Sequence, residues 1–194
     1  LLTCCNEELA AFIKSKLSQY PKIDVLTYAE LMKILLGDVY NTLPTNANGN
    51  KRCFEFMDHV PNEKKYDSII VDEAQDFDID MGLAVRSLLV NDSTSTLYVF
   101  YDKNQNVFEM DFENAFAIDA PPYILRYNIR NTGSIYECAV ERTNLGHDTV
   151  ANNIVGVYPE IHNYGKPSQA VKALSLIVNR LTQKEFVPAE SIVI

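Results

Sequence analysis

Residues 68–76 read SIIVDEAQD. Three apolar residues, Ile69, Ile70 and Val71, run directly into Asp72, Glu73, Gln75 and Asp76. A short run that is apolar at every position fits a strand covered on both faces, the habit of parallel sheets. The acids then fall at the carboxyl end of that strand, where the sites of open α/β sheets collect. From residue 66 to 80 there are six acids (Asp67, Asp72, Glu73, Asp76, Asp78, Asp80) and no Lys or Arg. Such a density of charge reads in two ways. It is a solvated loop with a capping Asp, or a site relieved by a metal ion or by cations from elsewhere. An Asp at a strand tip offers the oxygen ligand that Mg²⁺ requires. A Glu beside it can take a proton from an attacking water.

The elements on either side alternate. Toward the amino end, LLTCC (1–5) reads as a strand, and Asn6 can cap a helix over 7–18 with Leu9, Phe12, Ile13 and Leu17 on one face. IDVLT (23–27) is a strand and YAELMKILL a helix, followed by a polar loop over 41–50 and a short helix over 51–59. Toward the carboxyl end, Asp78 or Asp80 can cap a helix carrying Leu83, Val85, Leu88 and Leu89. STLYVFYD (95–102) is a further strand ending in an acid. PPYILRY opens another strand, a helix follows residues 131–133, and a strand near 154–158, a helix over 168–182 and a strand over 191–194 complete the chain. This alternation predicts an α/β fold with a mostly parallel sheet. Pro121-Pro122 divides it into domains over 1–120 and 121–194.

Composition narrows the class. The chain has 194 residues, 47% of them hydrophobic, which supports a core and argues against disorder. No apolar run approaches the ~18 residues of a membrane span. The apolar start lacks a basic leader segment, so the expected location is cytoplasmic, with no membrane partner. Four cysteines, two of them adjacent (Cys4, Cys5), fit free thiols better than a disulfide framework or a metal site. His59, His147 and His162 lack metal-ligand spacing. A net charge of −9 argues against gripping nucleic acid by bulk charge and leaves room only for a local groove.

Two later stretches bear on the acids. YVFYDKNQNVF (98–108) repeats the strand-then-acid arrangement, with Gln105 three residues past Asp102. Gln105 there can sense a phosphate and its attacking water, or simply close a β-turn. LRYNIRNTGSI (125–135) puts Arg130 at a predicted helix start, where the helix dipole disfavours a cation. It is either a surface arginine or a forked phosphate contact.

Taken in order, SIIVDEAQD, YDKNQNVF and LRYNIRNT resemble motifs II, III and IV of superfamily 1 helicases of the UvrD/Rep type. The spacing agrees, with 33 residues from Asp72 to Gln105 and 25 from Gln105 to Arg130. LLTCCNEELA resembles motif Ia, VLTYAEL the threonine-aromatic motif after it, and VPAESIVI a strand of the second motor domain. The resemblance implies an incomplete P-loop-NTPase (RecA-like) motor domain and the start of a second one. It implies part of an ATP-dependent DNA helicase or translocase that moves on single-stranded DNA, with ATP and Mg²⁺ as cofactors. Asp72 would hold Mg²⁺, directly or through water, and Glu73 would be the general base. Gln75 and Gln105 would couple the γ-phosphate to the DNA-facing side. Arg130 would be an arginine finger. Thr3, Asn6, Thr27 and Phe108 would contact nucleic acid.

The chain also departs from the pattern. It contains no G-x-x-x-x-G-K-[ST]. Its one Gly-Lys pair, Gly165-Lys166, is followed by Pro167 and has Glu160 at the first glycine position. In the family that loop precedes motif Ia, and motifs V and VI follow motif IV. The resemblance therefore implies a piece of a longer protein, inactive alone and completed by flanking domains of the same chain. Ile129 stands where the family stacks a Tyr on adenine, Met110 where a Trp stacks on a base, Tyr101 at a glycine and Cys4 at an aromatic position. Base stacking is worth about 1–3 kcal/mol per base, with Phe108 left to supply it. Two other readings stay open: a helicase-like ATP-binding module that regulates or binds a partner without unwinding, and an unrelated Mg²⁺-dependent phosphohydrolase using Asp72 and Glu73.

Overall fold

In a computed structural model that describes residues 1–106, 111–143 and 149–193, and no side chain at 112 or 113, the chain forms two compact units, Leu1–Tyr123 and Ile124–Ile194. The first unit holds four strands, β1 (Leu2–Cys4), β2 (Val25–Thr27), β3 (Ser68–Val71) and β4 (Thr96–Val99). They form one sheet in the order β2-β1-β3-β4, and every neighbouring pair is parallel. Helices α1 (Glu7–Leu17), α2 (Tyr28–Leu36), α3 (Asp38–Thr42), α4 (Ile79–Arg86) and α5 (Phe112–Ala115) lie in the same unit, and α6 (Gly133–Thr143) and α7 (Pro167–Gln183) in the other. The fold is α/β.

Local chemistry sets the helix starts. Asn6 Oδ1 accepts from the Leu9 amide at 2.8 Å and opens α1. At α2 the Thr27 hydroxyl accepts from Glu30 N (3.2 Å) while Glu30 Oε2 accepts from Thr27 N (2.9 Å). Each such cap is worth about 1 kcal/mol. Asp78, not Asp80, caps α4, its Oδ1 accepting from Met81 N at 3.0 Å.

Register decides which side chains share a face. Thr3 pairs with Leu26 and Val71, and Val71 with Val99, so these four share one face. Beneath that face lies the core, built from Leu31 and Met32 of α2, Met57, Val85 and Leu88 of and after α4, Phe77 and Phe116. Phe77 meets Tyr28 edge-on at 5.9 Å and Phe116 at 5.7 Å. Gly82 of α4 lies so close to α5 that a Cβ there would collide with the Ala115 backbone carbonyl.

The opposite face is covered differently from the expectation. Helix α1 packs over β1 and β2. Ile69 and Val71 are buried but Ile70 only half so, and Tyr98 and Phe100 stay 58% and 50% exposed. Phe12, expected on the buried stripe of α1, is 59% exposed, and the helix buries Ala10 instead. The loop expected over 41–50 begins with α3, and the helix expected over 51–59 is a 3₁₀ segment, Phe54–His59.

In the second unit the expected strands do not form among the described residues. A single parallel bridge, Tyr127 to Val150, stands in place of a ladder. Val155 and Val157 are about nine-tenths exposed (91% and 90%), and Ala189–Ser191 is a 3₁₀ turn. An apolar stretch becomes a strand only when a neighbouring strand takes its backbone groups in a ladder, and among the described residues Ile154 O and Gly156 O instead accept from Gly133 N and the Ser134 hydroxyl of α6. The last expected strand ends at Ile194, outside the described residues, as is His147. All four cysteines are free, and burial pushes the Cys5 thiol far up, so it is not a thiolate. Among the described residues no helix is long and apolar enough to cross a membrane.

Candidate functional site

Parallel pairing brings the carboxyl ends of the strands to one edge. Asp72 N donates to Thr3 O at 2.9 Å, and Ala74 N to Phe100 O at 2.9 Å, so the segments after β1, β3 and β4 meet there. Past Val71 the chain turns at once. Asp72 Oδ1 accepts from Glu73 N at 3.0 Å, and a 3₁₀ turn covers Ala74–Asp76. Glu73 itself is left-handed, at φ 51 and ψ 47. A residue with a Cβ holds that conformation at a cost of about 1–2 kcal/mol, an outlier of the sort found at functional sites.

The six acids separate into three groups. Asp67 is exposed at the amino end of β3, away from the edge. Asp78 and Asp80 are structural. Asp78 Oδ2 accepts from Asn46 Nδ2 (2.6 Å) and Asn50 Nδ2 (2.8 Å), and Asp80 Oδ2 accepts from the Cys53 (2.8 Å) and Phe54 (3.3 Å) amides. Side-chain and backbone N–H groups of residues 46–54 therefore hydrogen-bond both carboxylates, although burial still holds Asp80 above the usual aspartate range. Asp72, Glu73 and Asp76 remain at the edge.

Burial, and secondarily the nearby Glu73 charge, hold the Asp76 carboxyl above the usual aspartate range. The ionised form is thus penalised in the folded chain, and the penalty is absent below the unfolded value of 3.8 and grows as the pH rises through the higher folded one. Asp76→Asn is expected to raise Tm at pH 7 and to lose that advantage as the pH falls below 4, a difference that paired thermal melts will read.

A cleft of about 410 Å³ opens at this edge, lined by Asn6, Glu8 and Leu9 from the start of α1, by Glu73, Gln75 and Asp76, and by Gln105. Glu73 and Gln105, predicted from separate stretches, share it. Gln75 is 2% exposed, and its amide is engaged at both ends: Nε2 donates to Glu73 Oε2 at 2.5 Å and Oε1 accepts from Asp102 N at 3.1 Å. It braces the cleft and has no free end for a phosphate. Gln105 Nε2 donates to Asp102 Oδ2 at 2.8 Å, and Asp102 Oδ1 caps the turn through Asn104 N at 2.9 Å. DKNQ therefore forms the expected turn, and Gln105 lines the cleft. Sequence reasoning missed Asp102 as the hub, and Glu8 and Asp76 as lining residues. The cue for Asp102 was its repeat of the Asp72 position at the next strand tip.

The remaining candidates lie elsewhere. Thr3 is fully buried and Thr27 nearly so (0% and 2%), with the Thr27 hydroxyl committed to its cap, so neither is presented at the surface to nucleic acid. Asn6 is exposed and lines the cleft, its Oδ1 spent on the α1 cap. Phe108, like Met110, lies outside the described residues. Arg130 belongs to the second unit and is exposed. It precedes α6 by a turn rather than starting it. Thr132 O accepts from Tyr136 N at 3.0 Å to open that helix, and Asn152 Nδ2 donates to Ile129 O at 3.3 Å, fixing the backbone beside Arg130.

Among the described residues no three or more His, Cys, Asp or Glu side chains cluster to hold a metal ion. Mg²⁺ does not require such a cluster, because it is commonly held by one or two carboxylates with water and phosphate oxygens. Asp72 is half-buried, with Oδ1 accepting from the Glu73 amide, and Oδ2 is the oxygen it could offer such an ion. The cleft lining includes three carboxylates and no Lys or Arg, so an anion bound there needs cations from other parts of the protein. A scan of protein-family models matches none of them to this chain, and a search of curated proteins finds no match either.

Proposed function

We propose that the chain carries the acid-and-glutamine half of an ATP-hydrolysing site in a RecA-like motor of the superfamily 1 helicase type. The observation that supports this most is the shared cleft. Glu73 and Gln105, from two adjacent parallel strand tips, line one space and are tied to one another through Gln75 and Asp102. Asp72 would hold Mg²⁺, which when bound offsets phosphate charge and polarises the γ-phosphoryl oxygens. Glu73 accepts the proton of the attacking water and Gln105 orients that water. The phosphate cradle lies outside residues 1–194 in this reading, and single-stranded DNA is the track.

The acidic lining favours a second reading, an ATP-binding regulatory module that does not track on DNA. One assay separates the two. The full-length protein is expected to hydrolyse ATP, with a rate that rises on adding single-stranded DNA. A rate indifferent to DNA points to the regulatory module, and no hydrolysis together with no G-x-x-x-x-G-K-[ST] anywhere in the full-length chain ends the motor reading.

A further inference from the structure

Two glutamines and two acids at the strand tips make one hydrogen-bonded line: Glu73, Gln75, Asp102, Gln105. The orientation of each amide in it follows from chemistry. A backbone N–H only donates, so the Asp102 amide must meet Gln75 Oε1 (3.1 Å), which turns Gln75 Nε2 toward the Glu73 carboxylate (2.5 Å). A carboxylate only accepts, so Asp102 Oδ2 must meet Gln105 Nε2 (2.8 Å), which leaves Gln105 Oε1 for the cleft. Because Gln75 is 2% exposed, no solvent competes for either of its bonds.

We propose that Gln75 is a positioning residue, one amide that aims the Glu73 carboxylate with one end and with the other fixes the strand tip from which Asp102 orients Gln105. The cleft then presents two acceptors, the Glu73 carboxylate and Gln105 Oε1. A single water donates one hydrogen to each and keeps a lone pair free to attack the γ-phosphorus of ATP. As the new O–P bond forms, the bond from that phosphorus to the β,γ-bridging oxygen breaks, ADP leaves with that oxygen, and the proton lost by the water passes to Glu73. Gln75 touches neither water nor nucleotide and acts through the residues that do. This rests on the hydrolase reading above.

The test has two arms. In the 194-residue chain, the ¹⁵N side-chain amide signal of Gln75 is expected to exchange slowly with solvent and to shift in Glu73→Gln, which removes the charge it faces. A Gln75 amide that exchanges like an exposed glutamine and ignores Glu73→Gln overturns the proposal, whatever the protein hydrolyses. In the full-length protein, Gln75→Met keeps the length and burial of the side chain but makes neither bond. Its kcat is expected to fall by up to about 10²-fold, the loss that follows a misplaced catalytic group, while KM for ATP stays within a few-fold and the thermal melt keeps its cooperativity. An active wild type with an unchanged kcat in Gln75→Met overturns the proposal and leaves the hydrolase reading standing. An inactive wild type removes the hydrolase reading, and the amide measurement still decides whether Gln75 braces Glu73.

Discussion

Glu73→Gln is expected to lower kcat for ATP hydrolysis by the full-length protein by about 10²–10⁴-fold, the usual contribution of a positioned general base. ATP affinity is expected to stay near the wild-type value. The substitution is nearly isosteric, and Gln75 Nε2 can still donate to the new carbonyl as it does to Glu73 Oε2. Any loss therefore reports on proton transfer rather than on a collapsed loop. Single-turnover hydrolysis alongside equilibrium binding of a fluorescent ATP analogue separates the two quantities. Hydrolysis within a few-fold of wild type would remove Glu73 from the role of base.

The largest expected effect on stability lies four residues further on. Phe77→Ala should destabilise the first unit by about 3–5 kcal/mol, the range for deleting a buried aromatic ring. Phe77 is fully buried and contacts both Tyr28, at the start of α2, and Phe116, just after α5. Its loss opens a void between elements that are distant in sequence. Total stabilities of about 5–15 kcal/mol leave little margin for such a loss. Urea titration of the wild type and the variant is the measurement, with a lower midpoint and an unchanged slope as the expected signature.

What the sequence reveals here divides along a physical line. Features decided within one turn of chain are legible: the Asn6 cap, the start of α2 at Tyr28, and the strand ending at Val71. Features decided by distant partners are not. The amide donors that hydrogen-bond Asp78 and Asp80 come from residues 46–54, so those acids look free when read in place. The apolar run around 154–158 is the pattern of a strand, yet pairing is non-local and a sequence window does not contain the partner. Gln75 illustrates both sides. Its spacing from Asp72 marks it out, but only the parallel register of β3 and β4 shows that its second bond goes to Asp102.

The left-handed backbone at Glu73 has a consequence for directed evolution. Glycine or asparagine adopts that conformation more readily than glutamate, so a library sorted only for heat resistance should enrich them at position 73. The winners would gain melting temperature by discarding the carboxylate. A campaign that aims to keep turnover should hold this codon fixed and look for its gains elsewhere in the chain.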